Sequence, residues 1–537
     1  YIAHMTGDVS LPGLIGYYAG LMYNSNNVSA EASPVTLKYE LEVGQQFAQL
    51  FGFDSRKSFG HITSGGTVAN FESVFYAKAA RFLPASMGLL LKREGLPWAN
   101  FLPKSLWQLL NIPLEDLPVL LNNFEKLLST HGINAGIALP PYTIAHLGEY
   151  DFWRALQEGF REEVGRPVLL VPATAHYSWS KSAHLFGLGK ENCLQVKVDQ
   201  HLRMSMTEFN ESLKLCQGLR RPIIQTVCVL GSTEYGTFDP LDEMVELLKQ
   251  NRTQGLYSPL HVDAAYGGYF HCMFKQGEKY PDRVRASREK FKDLYQVFEA
   301  IKSADSVTVD PHKLGHTPYG AGVFVTKHGF TKEFIAEEAD YCLSGQGDTS
   351  ELSLGKYIIE GSKPGASAVS VFFSNKIIPL NSDGYGGLMS ELLRITGDFY
   401  ERLLRHNQDA SFARYFEFVP IAAPASNLLC FFVRTKAETS VTRTNDFNDR
   451  LIWHFFPRST DHIQEFSYYL SKTKLKFSKL SELPDAVNGM EKDSEQLRLI
   501  RLVFLNRWVE ETSGRGESYM EDFILELKKK CFSLLPK

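Results

Sequence analysis

Short apolar runs alternate with amphipathic stretches through the middle of the chain. Five runs rich in β-branched residues are predicted strands: Val168–Val171, Ile223–Leu230, Leu260–Val262, Ser306–Val309 and Gly322–Val325. Helical spacing between them predicts helices over Ser178–Leu185, Met206–Leu219 and Leu241–Asn251. Because these strands are too apolar for a sheet with one wet face, we expect an α/β fold with a mostly parallel sheet covered by helices on both sides.

The flanking segments complete the predicted organisation. Near the start, Ser33 is predicted to cap a helix whose first residue is Pro34. A long helix is predicted over Gly387–His406, and three strands are predicted beyond it: Phe416–Pro420, Asn427–Val433 and Leu497–Leu505. We therefore expect an N-terminal helical segment at 1–50, a large domain at 51–385 with a helical insert at about 82–150, and a small C-terminal α/β domain at 386–537.

Composition excludes several classes of protein. The 537 residues are 44% hydrophobic and 22% charged, which is ordinary for a soluble globular chain of several domains. With 57 basic and 61 acidic residues the net charge is −4, so we expect no binding to nucleic acid or to anionic lipid. No uninterrupted apolar run approaches the roughly 18 residues that span a bilayer, and we expect no membrane segment. The seven cysteines are scattered without a CxxC pair, which favours reduced thiols in a cytoplasmic enzyme over disulfides or a metal site.

A lysine and an aspartate are the residues most suggestive of chemistry. Lys313 follows the predicted strand Ser306–Val309 after a sharp turn, and Asp263 ends the strand before it. The carboxyl ends of neighbouring parallel strands open onto one crevice, so the two side chains are expected to face each other. Pyridoxal phosphate (PLP) requires this combination, because a lysine amine captures its aldehyde and a carboxylate keeps its pyridine nitrogen protonated.

Two further segments fit the same cofactor. Ser64-Gly-Gly-Thr67 precedes a predicted helix, whose first backbone N–H groups can bind a phosphate while Gly66 permits close approach and Thr67 adds a hydroxyl. His176 follows the strand Val168–Val171 and could lie over the cofactor ring. Each signal is weak alone, because a helix-entry turn and a strand-end histidine are common structural features.

Several motifs together resemble those of the fold-type I, group II PLP-dependent amino-acid decarboxylases. They occur in the family's order and spacing: AHYSWSKSAHLFGLG from Ala175, GSTEYGTFDP from Gly231, HVDAAYGG from His261 and SADSVTVDPHKLG from Ser303. Within that family the chain is most similar to bacterial tyrosine decarboxylases. The segments that support this narrower similarity are NNVSAEASP from Asn26, IEGSKPGA from Ile359 and the insert around LNIP from Leu110.

The resemblance implies a role for individual residues. Lys313 corresponds to the Schiff-base lysine, Asp263 to the partner of the pyridine nitrogen and His176 to the histidine stacked on the ring. It also implies further cofactor-binding positions: Gly66, Thr67, Ser232, Thr233, Ala265, His312 and Ser362. Asn26, Asn27 and Arg501 are expected near the substrate. No metal is expected.

The family also implies a mobile loop and a dimer. Tyr341 stands where a loop tyrosine protonates the substrate carbon, in competition with His176 for that role, and the polar segment Gly345–Ser350 suits a lid. A half-buried packing tyrosine is the structural alternative for Tyr341. Active sites completed by a partner's loop imply a homodimer in which residues around Tyr341 and Ser362 cross over.

The sequence alone does not decide between several substrates. An aromatic amino acid such as tyrosine is favoured, since an acidic substrate predicts arginines near Asn26–Ser33 and that stretch has none. A decarboxylase of an acidic or aliphatic amino acid, such as glutamate, is the alternative, as is a lyase of the sphingosine-phosphate lyase type. Tyr17, Tyr18 and Tyr23 could line an aromatic pocket or belong to the core.

Overall fold

The computed structural model describes residues 2–98, 100–337, 353–456, 462, 466–512 and 516–535. Its strands are β1 Phe59–Thr63, β2 Val168–Pro172, β3 Cys193–Val196, β4 Ile223–Val229, β5 Leu260–Asp263, β6 Ser306–Val309, β7 Gly322–Thr326, β8 Phe416–Pro420, β9 Leu428–Thr435, β10 Ser471–Lys476 and β11 Gln496–Val503.

The helices surround these strands. They are α1 Leu11–Tyr23, α2 Thr36–Leu50, α3 Gly66–Arg93, α4 Leu106–Leu109, α5 Leu117–Thr130, α6 Ala135–Ala138, α7 Ile144–Phe160, α8 Ser178–Leu185, α9 Met206–Gly218, α10 Leu241–Thr253, α11 Pro281–Lys290, α12 Lys292–Glu299, α13 Gly365–Ile377, α14 Tyr385–His406, α15 Ala410–Ala413, α16 Val441–Ile452 and α17 Tyr519–Ser533.

The larger sheet has the order β1-β7-β6-β5-β4-β2-β3. Strand β7 is antiparallel to both of its neighbours, and the pairs from β6 to β3 are parallel. The predicted α/β fold with a mostly parallel sheet is confirmed. Because β1 and the parallel strands point the same way, the turns that follow β1, β2, β4, β5 and β6 all lie at one edge of the sheet, and this edge carries the candidate site.

Apolar layers cover both faces of the large sheet. One contains Phe47, Phe270 and Val307, and the other contains Phe82, Phe124 and Trp179. Helix α3 belongs to the second layer. By length and hydropathy alone it qualifies as a membrane span, contrary to the expectation from uninterrupted apolar runs, but 83% of its most apolar window is buried inside the protein.

The smaller sheet is antiparallel, with the order β10-β11-β9-β8. Its core contains Phe418, Phe431 and Leu502. Helix α14 connects the two units, because Met389 in its first half packs in the core of the large sheet and Phe399 in its second half packs beside the small one. The predicted small C-terminal α/β unit is therefore present, whereas the exact boundaries at 50 and 385 stay predictions.

One local prediction was wrong, and one strand of the large sheet was missed. Ser33 does not cap a helix that begins at Pro34, because its hydroxyl donates to Asn27 Oδ1 at 2.7 Å and α2 begins only at Thr36. Strand β1, Phe59–Thr63, was not predicted from the sequence. Gly60 and His61 interrupt the run of β-branched and apolar residues by which the other strands were predicted.

Candidate active site

A cavity of about 330 Å³ opens at the carboxyl edge of the large sheet. Its walls come from the turns after β1, β2, β4, β5 and β6, and they include Thr67, His176, Thr233, Asp263 and Lys313. The cavity thus brings together residues that are 246 positions apart in the chain, from 67 to 313. Lys313 and Asp263 face the same cavity, as their positions after neighbouring strands predicted.

Lys313 is held by an aspartate from its own turn. Its Nζ lies 2.9 Å from Asp310 Oδ2, and the aspartate side chain is almost fully buried. Burial acts to lower the pKa of Lys313, but the charge and the hydrogen bond of Asp310 outweigh it, so this pKa is raised above its usual value. The lysine is therefore a cation held at a fixed point of the cavity wall.

Asp263 is oriented by two side-chain donors. Asn70 Nδ2 and Trp179 Nε1 each donate to Asp263 Oδ2 at 2.9 Å. The backbone N–H of Ala265 donates to Oδ1 at 3.3 Å. These three hydrogen bonds fix the orientation of the Asp263 carboxyl group at the cavity wall.

Asn70 also connects Asp263 to His176. Its amide donates to Ser178 Oγ at 3.1 Å, and that hydroxyl lies 3.0 Å from His176 Nδ1. The backbone N–H of Ser178 donates to the same ring nitrogen at 3.3 Å, which leaves Nε2 to carry the proton of the neutral ring. Burial and the charge of Lys313 lower the pKa of His176, so the ring is neutral at neutral pH.

The start of α3 forms a narrow cradle beside the lysine. A Cβ on Gly66 would lie 2.8 Å from Asp310 Oδ2 and 3.1 Å from Ala265 Cβ, so a side chain there would fill this space. The first N–H groups of a helix have no partners within it, and here they face the cavity. His312 completes the wall, with its ring tilted against that of Tyr319 at 4.1 Å between centroids and its Nδ1 accepting from the Ala321 N–H.

The predicted residues divide into those that line this cavity and those that do not. Eight line it: Gly66, Thr67, His176, Thr233, Asp263, Ala265, His312 and Lys313. Ser232 is buried just behind the wall, where its hydroxyl bonds that of Thr237 at 2.8 Å. Tyr341 lies outside the described residues, and its role stays a prediction.

The predicted substrate residues lie elsewhere in this chain. Asn27 is fully buried and its amide donates to Glu40 Oε2 at 2.6 Å. Arg501 donates to Ala3 O at 3.2 Å and to Ser471 Oγ at 3.0 Å and is not among the residues that line the cavity. Asn26 and Ser362 bond each other at 3.3 Å on the surface. Because Ser362 was expected to act across a dimer, a single chain does not test that role.

Sequence reasoning missed several residues of the site. Asp310 stands within the motif that carries Lys313, and its contact with the amine could have been expected from the i, i+3 spacing. Asn70 lies one turn after Thr67 on α3, so the periodicity of that helix could have placed it in the site. Tyr177 and Tyr319 add aromatic surface, whereas Tyr18 and Tyr23 are exposed on α1.

The residues present fit PLP. An amine in the cavity wall suits its aldehyde, a hydrogen-bonded carboxylate suits its ring nitrogen, and the glycine cradle at the start of α3 suits its phosphate. The cavity volume is within the range of small-molecule sites.

Comparison with known proteins agrees with this geometry. Residues 154–403 match the pyridoxal-dependent decarboxylase conserved domain. The chain is 31% identical over 462 residues to the L-tyrosine decarboxylase of Levilactobacillus brevis, covering 83% of this chain and 69% of the relative. It is 32% identical over 471 residues to the L-tyrosine decarboxylase of Enterococcus faecalis, covering 83% and 70%.

Solved structures share the fold. Oryza sativa TDC, solved with PLP and tryptamine, superposes with a TM-score of 0.65 at 13% identity, covering 100% of this chain and 84% of that one. Mouse CSAD in its apo form gives a TM-score of 0.65 at 16% identity, covering 99% and 83%. With the sequence relatives and the cavity geometry taken together, the chain belongs to the family of pyridoxal-dependent amino-acid decarboxylases.

Proposed function

We propose that this decarboxylase acts on an aromatic L-amino acid, with tyrosine as the preferred substrate, and releases the corresponding amine and CO₂. The observation that carries the choice is the lining of the cavity, to which Tyr177, Tyr266 and Tyr319 contribute beside Lys313. In the part of the chain that the structure describes, Lys313 is the only lysine or arginine of this lining, and Asp310 neutralises it. The similarity to tyrosine decarboxylases supports the same choice.

When bound, PLP supplies an aldehyde for an amine and a protonated ring that accepts the electrons left by the departing CO₂. Lys313 would hold this group in the cavity through its side-chain amine. Asp263 would hold the proton on the ring nitrogen, and its two side-chain donors fix the orientation of its carboxylate for that task. His176 covers one face of the site as a neutral ring whose Nε2 carries a proton.

A proton must return to the substrate α-carbon after CO₂ has left. Tyr341 or His176 fills this role in the proposal, and the segment that contains Tyr341 serves to exclude water. Exclusion of water limits protonation at the wrong carbon, which would waste the cofactor.

The enzyme is also proposed to work as a homodimer. Helix α1 turns Gly16 and Gly20 toward α13, where their missing side chains allow close packing, and Gly13 is buried on the same side. Its opposite side presents a row of exposed apolar residues: Leu11 (68% exposed), Ile15 (56%), Tyr18 (59%) and Met22 (85%). A second copy of the chain would cover this row.

We also propose that the protein is cytoplasmic and binds neither nucleic acid nor membranes. The net charge of −4 gives little attraction to anionic polymers or lipid surfaces. Six cysteines in the described ranges carry free thiols, in keeping with a reducing compartment.

The test has two parts. The purified protein should show visible absorbance that borohydride removes, and mass spectrometry should then locate the reduced adduct on Lys313. A screen of the twenty amino acids and DOPA for CO₂ release should give the highest kcat/KM with tyrosine or another aromatic substrate. Faster turnover of aspartate or glutamate would overturn the substrate assignment and leave the cofactor assignment standing.

A further inference from the structure

Strand β1 is an edge strand of the large sheet. On one side it pairs with β7, with Ile62 opposite Val323. In an antiparallel pair, the backbone groups of alternate residues point to opposite edges. The N–H and C=O of Ile62, and those of residues 60 and 64, therefore point away from β7 and need partners from elsewhere.

A buried ion pair supplies the partners of Ile62. The Ile62 N–H donates to Glu40 Oε1 at 3.0 Å, and the Lys363 ammonium donates to the Ile62 carbonyl oxygen. The same two side chains contact each other and are only 1% and 3% exposed. Glu40 and Lys363 thus occupy the place that an eighth strand would take, with one acceptor and one donor.

The neighbouring outward positions are also occupied. A Cβ on Gly44 of α2 would collide with the Gly60 carbonyl, so this helix lies directly against the edge. Two residues after Ile62, the Ser64 N–H donates to Glu360 Oε2 at 3.2 Å. The outer edge of β1 is therefore fixed by α2 and by the segment 359–363.

The ion pair extends into a wider buried network. Glu40 also accepts from the Asn27 amide at 2.6 Å. Lys363 Nζ lies 3.2 Å from His61 Nδ1, and His61 Nε2 lies 2.6 Å from Glu72 Oε2 on α3. Two charged side chains so completely buried are retained at a cost in desolvation, which suggests that they specify one position of the edge rather than add stability.

This edge leads directly into the cavity. Ser64 is the first residue of the turn Ser64–Thr67, which lines the cavity and begins α3. We infer that Lys363 and Glu40 are positioning residues that hold the phosphate-binding turn in place through Ile62. The inference rests on the proposed function in that it takes PLP as the ligand whose phosphate the turn receives.

The experiment compares two ligands that differ only in the phosphate. Protein stripped of cofactor is titrated with PLP and with pyridoxal, and binding is followed by absorbance. Lys363→Met removes the cation, and the double variant Glu40→Gln/Lys363→Met removes both charges so that no lone charge stays buried. A matched control is Lys528→Met, which removes a buried lysine paired with Asp409 at 2.5 Å in the small unit.

We expect the preference for PLP over pyridoxal to fall roughly tenfold or more in both Lys363 variants, because a displaced turn loses at least one hydrogen bond to phosphate. Pyridoxal affinity should change little, and Lys528→Met should keep the full preference. A double variant that folds and keeps the wild-type preference overturns the inference, even where Lys363→Met alone fails to fold. A wild-type protein that binds the two ligands equally would instead contradict the cofactor assignment.

Discussion

The ammonium of Lys313 lies 2.9 Å from the carboxylate of Asp310, three residues earlier in the chain. Asp310 is nearly fully buried, and its Oδ2 also lies 3.5 Å from His312 Nε2. The lysine is thus neutralised within its own turn, beside the cradle of Gly66. An amine must lose its proton before it can attack an aldehyde, so Asp310 controls the pH at which Lys313 becomes reactive.

The first prediction concerns Asp310→Asn. Without the carboxylate, burial dominates the environment of Lys313 and lowers its pKa. The rate at which the stripped protein captures PLP should then rise at neutral pH, and the midpoint of its pH profile should move to lower pH. The profile is measured by the growth of visible absorbance across the neutral and alkaline range. Asp282→Asn, at an exposed position of α11, controls for the change in net charge, and a midpoint equal to that of the wild type would contradict the prediction.

The second prediction concerns the support of Asp263. Trp179→Phe keeps an aromatic ring in the core but removes the Nε1–H that donates to Asp263 Oδ2. A hydrogen bond to a charged group contributes about 1.5–3 kcal/mol, so kcat should fall roughly tenfold or more while PLP still binds Lys313. Trp153→Phe removes a comparable donor, which bonds Glu149 at 2.9 Å on α7, and should leave kcat unchanged. Equal kcat values for the two variants would show that Trp179 only packs.

Much of the large sheet was predictable from the sequence, and the reason is physical. Strands such as Ser306–Val309 are buried on both faces, so their residues are nearly all apolar or β-branched and the pattern marks them directly. Strand β10 escaped prediction because its residues Ser471–Lys476 alternate lysine with smaller side chains at the end of the small sheet. Strand β3, at the end of the large sheet, has only four residues.

The site residues that lie within a sequence motif were predictable. Those that only the fold brings together were less so. Lys313 and Asp263 follow adjacent strands, so their meeting follows from the topology alone. Asn70 donates a hydrogen bond to Asp263, which is 193 positions away in the chain. Lys363 donates one to Ile62, which is 301 positions away. Such contacts depend on how α3 and the segment 359–363 pack against the sheet, which local patterns do not record.

The third prediction concerns the exposed row on α1. Ile15→Glu places a charge in the middle of that row, and burying a lone charge in an interface is unfavourable. We expect the proposed dimer to dissociate at least tenfold more readily, with a parallel loss of activity if the site is shared. Light scattering at several protein concentrations measures the association. Ile137→Glu changes a more exposed isoleucine on α6 (75% exposed) and should leave the proposed dimer intact. The same dissociation in both variants would assign the effect to charge and not to the α1 surface.

The last prediction concerns His271, which is buried between Phe51 and Phe298. Neither of its ring nitrogens has a hydrogen-bond partner in the portion of the chain that the structure describes, and burial lowers its pKa well below the usual value. The folded protein therefore binds fewer protons here than the unfolded chain, whose histidine titrates near 6.5. The stability that results is fully present above about pH 6.5 and is lost progressively as the pH falls below it. Between about pH 7.5 and about pH 5.5 this group alone should remove about 1.4 kcal/mol from the free energy of unfolding.

His271→Leu should reduce the acid-induced loss in the free energy of unfolding by that amount, as measured by urea unfolding at the two pH values. His201→Gln, at an exposed position, should leave it unchanged, and an identical loss in His271→Leu and wild type would mean that His271 is protonated in the folded protein.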